Sequence, residues 1–450
     1  MKKNIFLIII LIITSYVYSQ NDIKEMFEKS WNTKDTSEKR QLREKIIQLS
    51  PESEYGLFCK AWSYKMNSNL DSAVILYIKT INKNPKLWQT YFEIGKIYMP
   101  NWDYYERTNI DSKKAIYYFN KTIELNPDYT EVYFYRGTTN WWLGEFNNAI
   151  SDLNKAIEIN PILTDFYFYR GYSYYELNDY NNAIIDFNKA LEIEPNDNSS
   201  KFYRGKSYYE IKEYYNAIKD FSEVMNYSGI DGEGPFDLSY VNRGLSYYKL
   251  KEYNKAILDF NIALEKEPNN AETFYNRGNV YYDLKNYKKA ILDYTKAIEL
   301  KDDYADAYLK RALLYNDLED FENTISDLDI VIELDPKNVV AITLRGTSYL
   351  QLNIYKEAIL DFNNAIKIDP YFTLAYFGRG SANVYLTNYN KAITDFTKAI
   401  ELNSFYSAAF VQRGLVFILL GNNSDGCKDL RKAYDLGYTD AMKHINKYCK

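Results

Sequence analysis

The chain has 450 residues, 46% of them hydrophobic and 26% charged, which is too long for one ordinary core and too apolar for a disordered tail. Its 55 basic side chains against 61 acidic ones leave no basic surplus for a phosphate backbone, which argues against nucleic acid as a partner. With His444 as the single histidine, histidine catalysis and histidine metal sites lack raw material, so no cofactor, no metal and no enzymatic activity are expected.

Residues 1–19 begin with Lys2 and Lys3, continue through an apolar run from Ile5 to Ile13 and end in Val17-Tyr18-Ser19. That pattern predicts a secretory signal peptide, because the run is too short to span a bilayer; a retained N-terminal anchor is the alternative. No later apolar run reaches eighteen residues, so no membrane span is expected in the mature chain.

From there a period takes over. Arginine followed by a small residue recurs at Arg136-Gly137, Arg170-Gly171, Arg204-Gly205, Arg243-Gly244, Arg277-Gly278, Arg311-Ala312, Arg345-Gly346, Arg379-Gly380 and Arg413-Gly414. Consecutive positions lie 34 residues apart except for the step of 39 from Arg204 to Arg243. Counting back from Gly137 reaches Gly95, after a step of 42, and then Ala61. A fixed spacing of this length marks a repeat array. Proline checks the register independently: Pro51, Pro85, Pro127, Pro161, Pro195, Pro268, Pro336 and Pro370 all fall at one offset beyond an anchor once each insertion is allowed for. Pro51 implies a further, degenerate repeat in 20–53, centred on Phe27.

Within one unit, Tyr167, Gly171 and Tyr174 share a face of one helix, and Ala183, Phe187 and Ala190 share a face of a second. Asn178-Asp179 is the turn between them, and Pro195 ends the second helix. Gly171 and Ala183 are small so that the two backbones can approach.

The 34-residue period with an aromatic, Gly, Tyr, Ala, Phe, Ala and Pro at these offsets resembles the tetratricopeptide repeat family. The resemblance implies an all-α fold: a right-handed α-solenoid of about eleven helix-turn-helix repeats with a concave groove and a C-terminal cap helix. The expected organisation is the leader 1–19, the degenerate repeat 20–53, a first block 54–225, a second block 237–440 and the end of the cap helix in 441–450. The first block carries an insertion at 99–111, and a glycine-rich insertion at 226–236 separates the two blocks.

In the family, the first helix of each repeat lines the groove. That places Phe58, Trp62, Phe92, Phe134, Trp141, Trp142, Phe168, Tyr172, Tyr175, Tyr209, Tyr248 and Tyr282 there as ligand anchors, with Asn242, Asn276 and Asn279 as polar contacts. Acids at the same offsets include Glu131, Glu176, Glu210, Asp283 and Asp317.

The chain departs from the family in one respect. An aliphatic residue usually precedes the glycine, whereas nine repeats here have arginine. The same nine carry an aspartate sixteen residues later: Asp152, Asp186, Asp220, Asp259, Asp293, Asp327, Asp361, Asp395 and Asp429. The first two repeats lack both, having Lys60 with Leu76 and Ile94 with Tyr118. An arginine on a packed face needs a partner. Each is expected to fork onto the aspartate of its own repeat. Pairing with the preceding repeat's aspartate and stacking on tyrosine are the competing arrangements.

At the C-terminus, Cys427 and Cys449 form a candidate disulfide that would staple the cap helix, leaving Cys59 as a buried thiol. Taken together, the expectation is an exported scaffold, periplasmic or secreted, that binds a peptide or partner protein in an aromatic groove. A glycan- or cell-wall-binding module and a structural subunit of an envelope assembly are the alternatives.

Overall fold

The computed structural model describes residues 18–100, 109–225 and 236–449. The expected leader and most of both insertions lie outside the described residues. Among the described residues every regular element is a helix, 25 in all, so the protein is an all-α repeat array of the α-solenoid class. None of these helices is long and apolar enough to cross a membrane.

The chain divides into two compact units, 1–235 and 236–450. The first holds six helical hairpins, from Gln20–Asn32 with Thr36–Leu49 to Asn198–Glu210 with Tyr214–Met225. The second holds six more, from Phe236–Lys249 with Tyr253–Lys266 to Ser407–Leu419 with Asn423–Asp435, followed by the short helix Ala441–Tyr448.

The packing within a hairpin follows from the small residue of its first helix. A Cβ added to Gly171 would stand 3.0 Å from the Phe187 ring and 3.1 Å from the Asp186 Cβ, which is the close approach that bars a side chain there. Phe187, Ala183 and Ala190 are fully buried against it. The same arrangement recurs at Gly244 with Phe260 and at Gly278 with Tyr294. Burying an aromatic of this kind contributes roughly 1.5–3 kcal/mol per repeat.

The turn inside ten of the twelve hairpins passes through the left-handed region. Asn178 (φ 61°), Lys212 (φ 66°), Lys285 (φ 58°) and Glu319 (φ 60°) occupy it, as does Gly144 (φ 75°). Asparagine tolerates this conformation, while lysine and glutamate hold it against Cβ sterics. Lys212→Gly should therefore raise stability by about 0.5–1 kcal/mol in denaturant unfolding, with a smaller gain at Asn178. A loss at Lys212 would show that its side chain makes a contact worth more than the backbone strain.

Candidate functional site

Each of the nine arginines forks onto the aspartate of the second helix of its own repeat. Arg170 donates Nε to Asp186 Oδ2 at 2.7 Å and Nη2 to Oδ1 at 2.6 Å. The same fork joins Arg136 to Asp152, Arg204 to Asp220, Arg243 to Asp259, Arg277 to Asp293 and Arg311 to Asp327. It joins Arg345 to Asp361, Arg379 to Asp395 and Arg413 to Asp429 as well. The aspartate side chains are 2–9% exposed and the arginines 15–24%, so these pairs are largely desolvated. Aromatic contact accompanies the fork: the Arg170 guanidinium sits 5.7 Å from the Tyr167 ring. Burial lifts the Asp186 and Asp220 carboxyls above the usual aspartate value, against the downward pull of their arginines. Much of the ionic attraction is thus offset by desolvation.

The third donor of the guanidinium links neighbouring repeats. Arg170 Nη1 reaches Asn154 Oδ1 of the preceding hairpin at 2.6 Å, Arg204 reaches Asn188 at 2.7 Å and Arg136 reaches Asn120 at 2.5 Å. In the second unit Arg277 reaches Asn261, Arg311 reaches Thr295, Arg345 reaches Asp329, Arg379 reaches Asn363 and Arg413 reaches Thr397. One side chain therefore closes its own hairpin and clamps it to the one before. The sequence carried a signal for this that reading the arginines and aspartates alone misses. At these eight junctions the acceptor lies two residues beyond the preceding repeat's aspartate, or beyond Tyr118 in the case of Asn120, and is Asn, Thr or Asp. Beyond Asp429 the same position is Arg431.

In the first unit, several residues on the expected ligand face of the first helices keep part of their surface exposed. Trp142 is 41% exposed, while its neighbour Trp141 is half-buried. The Trp141 ring meets Tyr172 edge-on at 5.1 Å, and Tyr172 meets Tyr203 at 4.4 Å. Phe134 packs on Phe166 at 5.2 Å and Phe168 on Tyr203 at 6.1 Å, so both are half-buried seams between repeats. Tyr175 lies half-exposed with Lys206 Nζ 4.9 Å from its ring, and Tyr209 packs beside Tyr214 at 5.5 Å. Burial, with Glu210 and Glu176 nearby, pushes the Tyr175 phenol up to about 12. Burial does the same for Tyr209. These hydroxyls remain protonated donors at neutral pH, and Glu176 and Glu210 are exposed acceptors beside them.

Two of the expected anchors are not on that face. Phe58 is fully buried and Phe92 is 3% exposed. The N-terminal hairpin covers them: Phe27 meets Phe58 at 5.0 Å, and Trp31 lies 6.1 Å from Phe58 and 6.3 Å from Phe92. Trp62 is half-buried, with the Arg43 guanidinium 4.4 Å over its ring.

In the second unit, Tyr282 donates to Asp317 Oδ2 at 3.2 Å, and the Tyr248 ring lies tilted beside Tyr253 at 6.1 Å. Asn242 donates to the carbonyl of Leu238 at 2.7 Å, and Asn279 accepts from the Tyr294 hydroxyl at 2.9 Å, so both amides serve the fold. Asn276 differs, because its Nδ2 is enclosed without an acceptor. At the end of the array, Cys427 and Cys449 are disulfide-bonded with Cα atoms 5.6 Å apart, while Cys59 is a buried free thiol pushed up to about 12 by desolvation.

Family models described as tetratricopeptide repeat match residues 164–197 and 271–304, and 130–162, 305–338, 340–372 and 374–406; a further TPR repeat model matches 244–285. Together they span about half of the chain. No curated protein matches it. Among solved structures, YrrB, titled a TPR protein with an unusual peptide-binding site, is 22% identical with a TM-score of 0.37, over 42% of this chain and 97% of that one. Yeast Tom70 is 16% identical with a TM-score of 0.37, over 88% of this chain and 95% of its own. A tetratricopeptide repeat protein from Parabacteroides merdae is 20% identical with a TM-score of 0.41, over 56% and 98%.

Proposed function

Because this chain belongs to the tetratricopeptide repeat family and is thereby a protein–protein interaction scaffold, we propose that it is an exported, non-enzymatic scaffold whose first unit holds an extended peptide on its first-helix face. The observation that carries the reading is that the first-helix aromatics Trp142, Tyr172, Tyr175 and Tyr209 keep part of their surface exposed, as do the neighbouring Glu176 and Glu210. Protonated phenols supply donors for peptide carbonyls, and the carboxylates supply acceptors for backbone N–H groups or basic side chains. Tyr172 meets Trp141 and Tyr203 edge to face, an arrangement that suits insertion of a peptide side chain more than stacking of a flat sugar ring. The partner is therefore an extended segment carrying lysine or arginine. Export, to the periplasm or outside the cell, accords with the leader-like 1–19 segment and with a disulfide between Cys427 and Cys449.

The test uses fluorescently labelled extended peptides of one length, basic or acidic, titrated with the protein at low and high salt. Basic peptides should bind more tightly and weaken with salt. Trp142→Ala and Tyr175→Ala should each cost roughly tenfold in affinity, about 1–2 kcal/mol. Equal binding of basic and acidic peptides, or no effect of either substitution, would count against the reading.

A further inference from the structure

The N-terminal hairpin breaks the repeat pattern at one buried position. Sixteen residues beyond each anchor of an undisturbed repeat stands a core residue such as Tyr77, Phe187, Phe260, Tyr294 or Leu328. Sixteen residues beyond Phe27 stands Arg43 instead. The size pattern is inverted there, with a phenylalanine at the small-residue position and a cation where an aromatic belongs. Phe27 takes up the core volume and is fully buried, and Arg43 is only 3% exposed.

Unlike the nine arginines of the forks, Arg43 meets no carboxylate at bonding distance among the described residues. Its Nε and Nη1 are enclosed and without a hydrogen-bond acceptor. The guanidinium lies over the Trp62 ring at 4.4 Å and the Phe58 ring at 5.7 Å. Ring contacts of this kind return less than an unpaired buried charge costs. The buried carboxylate in the neighbourhood, Glu93, is bound by Lys65 Nζ at 2.5 Å. Glu44 is held by Arg40 at 3.0 Å.

Arg43 instead lines a cleft of about 550 Å³ between helices Thr36–Leu49 and Glu54–Met66. Lys39 and Arg40 also line it, as do the hydroxyl-bearing Thr36, Ser37 and Ser63, and one wall is Trp62 with Met66. Burial, and then the nearby Arg43, hold the Lys39 ammonium below its ordinary value, with Glu93 pulling the other way. Three cations against one already paired carboxylate leave the cleft electropositive, and its volume exceeds what a hydrated ion needs.

We propose that this cleft binds a small oxyanion group, a carboxylate or a phosphate, which accepts hydrogen bonds from the Arg43 guanidinium and is steadied by Lys39. A guanidinium donates charge-assisted hydrogen bonds that either oxyanion accepts. The apolar wall of Trp62 and Met66 would take the stem that carries the group. This site is separate from the peptide face of Trp142, Tyr175 and Tyr209, and stands or falls independently of it.

Calorimetric titration of the full chain with inorganic phosphate and, separately, with butyrate, at an ionic strength fixed with chloride, tests the assignment. Saturable one-site binding is expected for at least one of them. Binding of phosphate alone assigns a phosphate-bearing ligand, and binding of butyrate alone a carboxylate. Arg43→Met, which keeps an unbranched apolar stem and removes the charge, should weaken binding by at least about tenfold. The unliganded variant should melt no lower than the parent, since an unpaired charge has been removed. Should that variant not fold, Lys39→Met is read in its place, with binding weakened severalfold. Absence of saturable binding by both anions, or binding unchanged in the variant that folds, overturns the proposal.

Discussion

Replacing Arg170 with leucine while leaving Asp186 in place should destabilise the surrounding repeats by about 3–5 kcal/mol. The substitution strands a carboxylate that is 2% exposed and removes the donor on which Asn154 of the preceding hairpin depends. Both the hairpin and its junction therefore lose a bond at once. In a repeat array each unit contacts only its neighbours, so the loss should appear locally. Hydrogen exchange should accelerate in Thr164–Glu176, Tyr180–Ile193 and Phe146–Ile159 and remain slow in helices several repeats away. The double replacement Arg170→Ile with Asp186→Tyr should recover most of the loss. The repeat around Gly95 already uses that pair, with Ile94 fully buried and Tyr118 packed beside the core. Uniform acceleration of exchange throughout the first unit would show that the clamp is not local.

The second large effect is expected at the other end. Cys427→Ser with Cys449→Ser should destabilise the terminal cap by about 3 kcal/mol, the usual entropic contribution of a loop of this length. The bridged residues are 22 apart, and the segment between them includes Ala441, fully buried, and Ile445, which packs with Phe410, Val411 and Leu430. That apolar patch is small, so the eight-residue helix Ala441–Tyr448 depends on the covalent link to stay docked. Backbone exchange should speed up in that helix with little change in the repeats before Ser407. The same premise is open to thiol counting: the unfolded, unreduced chain should present Cys59 alone as a reactive thiol. Three reactive thiols would remove the bridge from the account.

How much of this was legible in the residues depends on how often each feature repeats. The small anchors and the prolines recur in register, so the hairpins and their order could be counted directly. The arginine and aspartate vary together along one chain, and that co-occurrence is what pointed to the fork. The acceptors at the eight junctions recur as regularly, yet Asn, Thr and Asp differ in side-chain chemistry, which hides their common role as oxygen acceptors. The covering of Phe58 and Phe92 was not legible for another reason. Phe27 and Trp31 belong to the one hairpin whose register rests on Pro51 alone, and offset rules taken from interior repeats assume an open face at the first one. The left-handed turn positions held by Lys212, Lys285 and Glu319 give no composition signal, because tertiary packing of the two helices overrides the residue's own preference there. Arg43 stands out only after the fold fixes its offset, since an arginine in a polar stretch is otherwise unremarked.

The central physical claim is that charge is buried between the helices as matched pairs, so that each arginine's contribution exists only while its aspartate does. A double-mutant cycle on Arg170→Leu and Asp186→Leu, measured by urea unfolding of the full chain, tests it most directly. The account predicts strong coupling: each single replacement is costly, the double one costs less than the two added together, and the interaction term is about 2–3 kcal/mol. Effects that add to within about 0.5 kcal/mol would contradict it, because they would mean the two side chains stabilise the protein independently of one another.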